Sequence, residues 1–294
     1  MSLAAGVMGT SSIRRRRRRI NAFALVVCTL ALVLGALPLV WILGYILLQG
    51  LPVLSLDFLT NLPTPVGVPG GGIGNAIVGS AMTVGLGLVI AAPVGLLVGL
   101  YICRSPSSRS ASVIRFATDT VAGVPSIVMG LVAYALVVQP QGHFSAFSGG
   151  VVLSFIMVPI IIRTTEEMVR LVPPSLREGA LGLGAPDWTS TLRVVVPAAL
   201  SGIVTGLMLA IARGAGEAAP MLFTAFGNPF MNTDFSQPVA TLPYTLFTYA
   251  TSPYEDWRQK AWATALVLIA IVLLLNVVAR ALVAFRSRRL GPTR

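Results

Sequence analysis

The run Arg177-Glu178-Gly179-Ala180-Leu181-Gly182-Leu183-Gly184, followed after a gap of nine residues by Val194-Val195-Val196-Pro197, decides how this chain is read. Ser175 with Glu178 three residues on is a capping-box pattern, which predicts a short helix just after Pro173-Pro174 with its first-turn amides met by side chains. Leu176, Ala180 and Leu183 then share one face. Gly182 and Gly184 predict a stop and a turn, and Pro186 predicts a second short helix through Asp187-Trp188. Two short helices with a sharp bend form a stiff charged knob suited to docking. Glu178 and Ala180 alone would equally describe an amphipathic loop resting on lipid headgroups; the full spacing to Pro197 favours the knob.

What flanks the knob is apolar. Of 294 residues 55% are hydrophobic and only 11% charged, and the mean hydropathy is +0.84, which leaves too little polar surface to coat a soluble domain of this length. A helix needs about 20 mostly apolar residues to cross a bilayer. Charge-free runs of that kind predict an all-α membrane protein with six spans, near residues 21–48, 75–102, 114–138, 149–162, 194–219 and 262–285. The fourth is short and contains Pro159, so it extends past Arg163 or crosses at an angle. Pro125-Ser126 is expected to bend the third, with Ser126 satisfying a freed carbonyl.

Sorting the basic residues by loop places 18 of the 21 Lys and Arg on one side. By the positive-inside rule both termini are then cytoplasmic. Arg14–Arg19, directly before a span, reads as a topogenic signal rather than a nucleic-acid arm or a lipid anchor, and the apolar run after it is too long for a cleavable signal. The chain divides into a basic cytoplasmic tail (1–19, expected to be mobile before Ile13), a six-helix transmembrane domain (20–285) and a basic cytoplasmic tail (286–294). Within the domain, 163–193 is the cytoplasmic loop that carries the knob. Residues 220–261 form a long external loop, whose aromatic residues between proline breakers predict packing on or into the membrane face.

Several chemistries find no support. A P-loop needs a Lys that reaches phosphates, and the only Lys is Lys260, in a presumed external loop, so this chain does not hydrolyse ATP. One His, His143, and two isolated Cys, Cys28 and Cys103, offer no metal cluster, disulfide framework or catalytic triad. Charges within spans carry the remaining signal. Arg213 and Glu217, at i and i+4 in the fifth span, are expected on one helix face about 24 Å beyond Pro197. Gly214 and Gly216 would let a neighbour or ligand approach. The pair reads either as a substrate contact or as a structural ion pair. Asp119 is expected to pair with Arg115, and Arg170 to be a solvated or headgroup-facing loop residue.

The spacing Glu-x-Ala-x3-Gly followed by aliphatic-x-aliphatic-Pro resembles the EAA loop of permease subunits of ATP-binding-cassette importers. Arg163-Thr164-Thr165-Glu166-Glu167, Val172 to Glu178, Ala212-Arg213-Gly214-Ala215-Gly216-Glu217-Ala218-Ala219-Pro220 and Gly123-Val124-Pro125-Ser126-Ile127-Val128-Met129-Gly130 narrow this. With Gly72 to Ile77 and a final span holding Asn276 and Arg280, they resemble the PstA family of phosphate-importer permeases over about residues 30–285. Gly179 stands where that family has alanine, and Gly214 and Ala218 where it commonly has alanine and threonine.

The resemblance implies a type I importer (MetI-like) permease fold in the bacterial plasma membrane and a non-catalytic subunit with no cofactor of its own, ATP and Mg being held by a partner. It implies as partners a cytoplasmic PstB-like ATPase dimer, a PstC-like sister permease, a PstS-like extracytoplasmic binding protein and membrane lipid, without nucleic acid. Ser175, Arg177, Glu178, Gly179, Ala180, Gly184 and Pro197 become candidate ATPase-coupling residues, and Arg213 and Glu217 candidate substrate-pathway residues. A permease for sulfate or molybdate, or a membrane-embedded sensor or enzyme, are the alternatives.

Overall fold

The structure, a computed structural model, describes the backbone of residues 4–289 and the side chains of residues 14–281. Among the described residues it is helical, with one isolated parallel bridge, Phe226 to Val239.

The first 49 residues form a unit of their own. Helix α1 runs Ala4–Gly50, about 70 Å at 1.5 Å per residue. That is over twice a hydrocarbon core. The helix already begins at Ala4, so Arg14–Arg19, expected within a separate basic tail, are continuous with the span that follows them. At the other end α11, Glu255–Arg289, likewise takes in residues 286–289 of the expected basic tail; residues 290–294 lie outside the described residues.

The second unit contains a short α2 (Leu56–Thr60), α3 (Gly74–Arg104), α4 (Arg109–Ala122), α5 (Ser126–Gln141), α6 (Ala146–Arg170), α7 (Pro174–Gly182), α8 (Asp187–Ala215), a turn of helix α9 (Met221–Thr224), α10 (Leu242–Ala250) and α11. Five helices are long and apolar enough to cross a membrane, α1, α3, α6, α8 and α11. The third expected span, 114–138, is not one helix. Between α4 and α5 the chain turns by 103° at Gly123-Val124-Pro125, because Pro125 has no N–H to continue the ladder and holds Val124 away from helical geometry. Ser126 makes no side-chain hydrogen bond among the described residues, so its expected capture of a freed carbonyl does not occur.

The fourth span is longer than its apolar run. Helix α6 continues through Arg163, Glu166 and Arg170 to 25 residues. The fifth span begins earlier, at Asp187 rather than Val194, so the second short helix expected there is its first turn. It ends earlier too, at Ala215. Both α5 and α8 contain a π-helical turn, Tyr134–Val138 and Thr191–Val195, each ending two residues before a proline, Pro140 and Pro197. Proline removes one ladder bond and crowds the carbonyl four residues back, and a wider turn relieves that crowding.

Helix α6 is the centre of the packing. On one side α3 presents Gly87, Ala91, Gly95 and Gly99 at four-residue spacing, and a Cβ at Gly95 would lie 2.6 Å from Ile161 Cβ, one at Gly99 2.7 Å from Thr165 Cβ. On its other side α8 presents Gly202, Gly206, Ala210 and Gly214, against Met168, Thr164 and Met157. Two small-residue stripes let three backbones approach closely in lipid, where apolar side chains gain nothing from leaving water. Leu153, Met157 and Ile161 of α6 fill the seam, together with Met221. Gly95→Leu is therefore expected to destabilise the domain by at least about 1–3 kcal/mol through overpacking, and Ile161→Ala in the same chain to restore part of the loss. Thermal unfolding of the two variants in detergent checks this.

Parts of the 220–261 segment pack on the helices, while Phe230, Phe235, Phe247 and Tyr254 stay exposed. Asn75 of α3, buried, donates to Asn228 O at 2.6 Å and pins the loop. Tyr249 and Trp257 meet with ring centroids 5.1 Å apart. Ser236 donates from its backbone and hydroxyl to Asp234, which holds that carboxyl below its ordinary value.

Candidate functional site

Helix α7 stands between the ends of α6 and α8 and is mostly exposed. Its N-cap is Pro173, which has no side-chain acceptor, so Ser175 lies inside the first turn and the expected capping box does not form. Pro174 at the first helical position removes one donor that would need a partner. The other end closes as a Schellman motif: Ala185 N–H donates to Ala180 O at 3.1 Å and Gly184 N–H to Leu181 O at 2.9 Å, with Gly184 at φ +82°. The turn expected at Gly184 is there, but Leu183 falls outside the helix and is 91% exposed. Leu176 and Leu181 are also partly exposed, so the three make no packed stripe.

One carboxylate clamps the knob to the spans. Asp187 Oδ1 accepts from Arg177 Nη2 at 2.9 Å, and its Oδ2 pairs with Arg104 Nη2 of α3 at 2.7 Å. Arg177 therefore holds α7 to the first turn of α8 and, through Asp187, to the last turn of α3. Pro197 acts at a distance from the knob by shaping the π-turn, Thr191–Val195, that follows the first turn of α8. Glu178 is exposed and makes no ion pair among the described residues. A Cβ at Gly179 would meet nothing within 4 Å. Gly179→Ala should thus stabilise α7 by about 0.8–1 kcal/mol, the propensity difference. Gly184→Ala, in equally open space but at positive φ, should cost about 1–2 kcal/mol. Helicity and thermal unfolding of the two variants, which should move in opposite directions, test the reading.

A second group of charges was missed as a group by the sequence reading. Glu166, with its side chain 3% exposed, accepts from Arg115 Nε of α4 at 2.7 Å and from Arg163 Nη1 at 3.4 Å, and also pairs with Arg170. Asp119 pairs with Arg163, not with Arg115 as expected; the bend before α5 leaves α4 alongside α6, where a closer cation waits. Arg170 is likewise no solvated loop residue but an ion-paired member of the last turn of α6. The signal was present in the i+3 and i+4 spacing of Arg163, Glu166 and Arg170, hidden because these residues were read as loop. Cys103 Sγ donates to Glu166 O at 3.3 Å. Among the described residues no group of His, Cys, Asp and Glu could hold a metal ion, and His143 is an exposed loop residue bonded to Phe144 O.

At the far end of α8, about 39 Å from Asp187 along the helix, Arg213 Nη2 meets Glu217 Oε1 at 2.9 Å. The pair forms, but not on one helical face: the helix stops at Ala215, and Glu217 lies past it, its N–H on Gly214 O at 3.2 Å. Burial is unequal. The Glu217 side chain is 9% exposed and that of Arg213 61%, so a buried carboxylate holds an arginine whose remaining donors point outward. Gly214 does meet a neighbour, the Met157 side chain, whereas a Cβ at Gly216 would contact only its own turn. The following segment packs on α5, with a Cβ at Gly130 only 2.8 Å from Pro220 Cα.

Comparison with known proteins agrees with this architecture. Residues 91–292 match the family model described as "Binding-protein-dependent transport system inner membrane component". A protein of Xylella fastidiosa named "Phosphate transport system permease protein PstA" is 45% identical over 94% of this chain and 97% of its own. One of the same name from Yersinia pestis is 43% identical over 91% of each. Among solved structures, an inward-facing MetNI methionine ABC transporter chain covers 72% of this chain and 93% of its own with a TM-score of 0.59 at 19% identity, which speaks for the fold. Membership in such a family implies a separate ATPase and a substrate-binding partner. This multi-pass, inner-membrane chain belongs to the binding-protein-dependent transport inner membrane components and, among them, to the PstA family of permease subunits.

Proposed function

We propose that the chain is one permease half of a bacterial importer for inorganic phosphate, with both termini and α7 in the cytoplasm. A PstC-like sister permease completes the pathway, a PstS-like binding protein delivers phosphate, and a PstB-like ATPase dimer receives α7 with its Leu176, Leu181 and Leu183. The observation that carries this reading is the identity of 45% and 43% to PstA proteins over at least nine-tenths of both chains. The charge arrangement supports it. Arginine suits a tetrahedral oxyanion because its planar fork donates paired hydrogen bonds, and Arg213, 61% exposed, keeps the rest of that fork free while Glu217 holds one tip, Nη2. Glu217 also limits how tightly the anion is held, so that it can leave again.

Membrane vesicles carrying the chain with these three partners test the proposal. ATP-dependent uptake of labelled phosphate, well above that of labelled sulfate, is the expected result. Equal or preferential sulfate uptake would overturn it.

A further inference from the structure

Two adjoining cavities open behind α7, where α3 and α8 end and begin. The first, about 260 Å3, is walled by Leu97, Leu100, Trp188 and Leu192, with Arg104 and Arg177 completing its lining. The second, about 280 Å3, shares Cys103, Val169, Arg177 and Val195 with it and adds Arg170 and Glu178. Arg104 and Arg177 are each about half-exposed and share the single carboxylate of Asp187. Across the whole end of the bundle the ion-paired arginines, at 104, 115, 163, 170 and 177, divide three carboxylates among them, Asp119, Glu166 and Asp187, and with Arg109, Arg193, Glu167 and Glu178 included the arginines still outnumber the carboxylates seven to five. Arg177 Nε is buried without a hydrogen-bond partner. An apolar wall beside a cation cluster short of anions matches a molecule with the opposite halves.

We propose that the first cavity binds an anionic phospholipid, its phosphodiester on Arg104 and Arg177 and an acyl chain along Leu97, Leu100 and Leu192. The depth is right. Leu97 to Arg104 are the last two turns of one membrane-crossing helix and Trp188 to Val195 the first two of another, so the arginines stand where a span meets the headgroups, and the half-exposed indole of Trp188 belongs at that level. A free inorganic anion would use the arginines but leave the leucine wall unfilled, and a zwitterionic lipid would fill the wall without neutralising the excess charge. A headgroup here joins α3 to α7 in parallel with Asp187, and so bears on how firmly the knob is held. Such a site needs the two spans and a bilayer but no particular cargo, so it can fail while the transport reading stands, and the reverse.

The full-length chain in nanodiscs of phosphatidylcholine with a minor fraction of photoactivatable phosphatidylglycerol provides the test. Label is expected on peptides containing residues 97–104 and 188–195. The double variant Arg104→Gln, Arg177→Gln should reduce it about 30-fold, from roughly five- to sixfold losses at each of two headgroup contacts. Leu192→Trp, which fills the groove and leaves every ion pair in place, should reduce it as well and decides the matter if the double variant does not fold. Photoactivatable phosphatidylcholine should not favour these peptides. Labelling unchanged in Leu192→Trp, equal labelling by phosphatidylcholine, or displacement of phosphatidylglycerol by added inorganic phosphate would each overturn the proposal, the last by assigning the site to a free anion.

Discussion

Arg213→Ala is expected to lower phosphate uptake by about ten- to hundredfold, the loss of one charge-assisted contact to the moving anion, while the assembled complex still purifies and the binding protein still takes up phosphate. Assembly should survive because most of the Arg213 side chain is exposed and its ion pair spans one turn of a single chain, so little packing depends on it. Arg213→Lys should recover only part of the rate, since a point charge lacks the paired donors of the guanidinium. Glu217 sharpens the test. Its carboxylate is 9% exposed, so Arg213→Ala also strands a buried charge, and a purely architectural pair would show itself by recovery of both assembly and uptake in Arg213→Ala, Glu217→Ala. Uptake that stays low in that double variant, with assembly intact, assigns Arg213 to the pathway; recovered uptake would remove it from there.

The bilayer made the spans legible in the sequence, because a charge-free run of twenty residues has few other uses, and positions were lost where helices carry charges that cancel one another. Helix α6 illustrates this. Hydropathy stops at Ile162, but Arg163 and Arg170 both pair with Glu166 on one face, so the helix continues for two further turns. Asp119 shows the complementary failure: Arg115 is its neighbour in sequence, whereas the 103° bend after α4 brings Arg163 of another helix closer. At the knob, the turn at Gly184 was readable from the glycine alone, yet the cap was not, because Pro173 takes the position that the Ser175 and Glu178 pattern assigned to a hydroxyl. Both π-turns and the early end of α8 depend on local crowding around proline and glycine that periodicity does not register. The stripes at Gly87, Ala91, Gly95 and Gly99 and at Gly202, Gly206, Ala210 and Gly214 stand in plain view once four-residue spacing of small residues is taken as a packing signal.

Glu166→Ala should cause the largest loss of stability of any single change in the bundle's arginine-rich end, about 3–5 kcal/mol, the usual cost of removing one partner of a buried pair. Three guanidiniums converge on this one side chain, and among the described residues it is the only carboxylate to which Arg115 is bridged; without it they repel one another between α4 and α6. Glu166→Gln keeps the volume and one acceptor oxygen but not the charge, and should fall between Ala and the native residue. Arg170→Gln should cost no more than about 1 kcal/mol, because that arginine is half-exposed and water can replace its partner. Thermal unfolding of the full chain in one detergent should therefore rank Arg170→Gln above Glu166→Gln and that above Glu166→Ala. If Glu166→Ala unfolds with the native chain, the cluster does not hold α4 against α6. The short segment from α6 into α7 would then transmit any movement of the knob by the chain's covalent path alone.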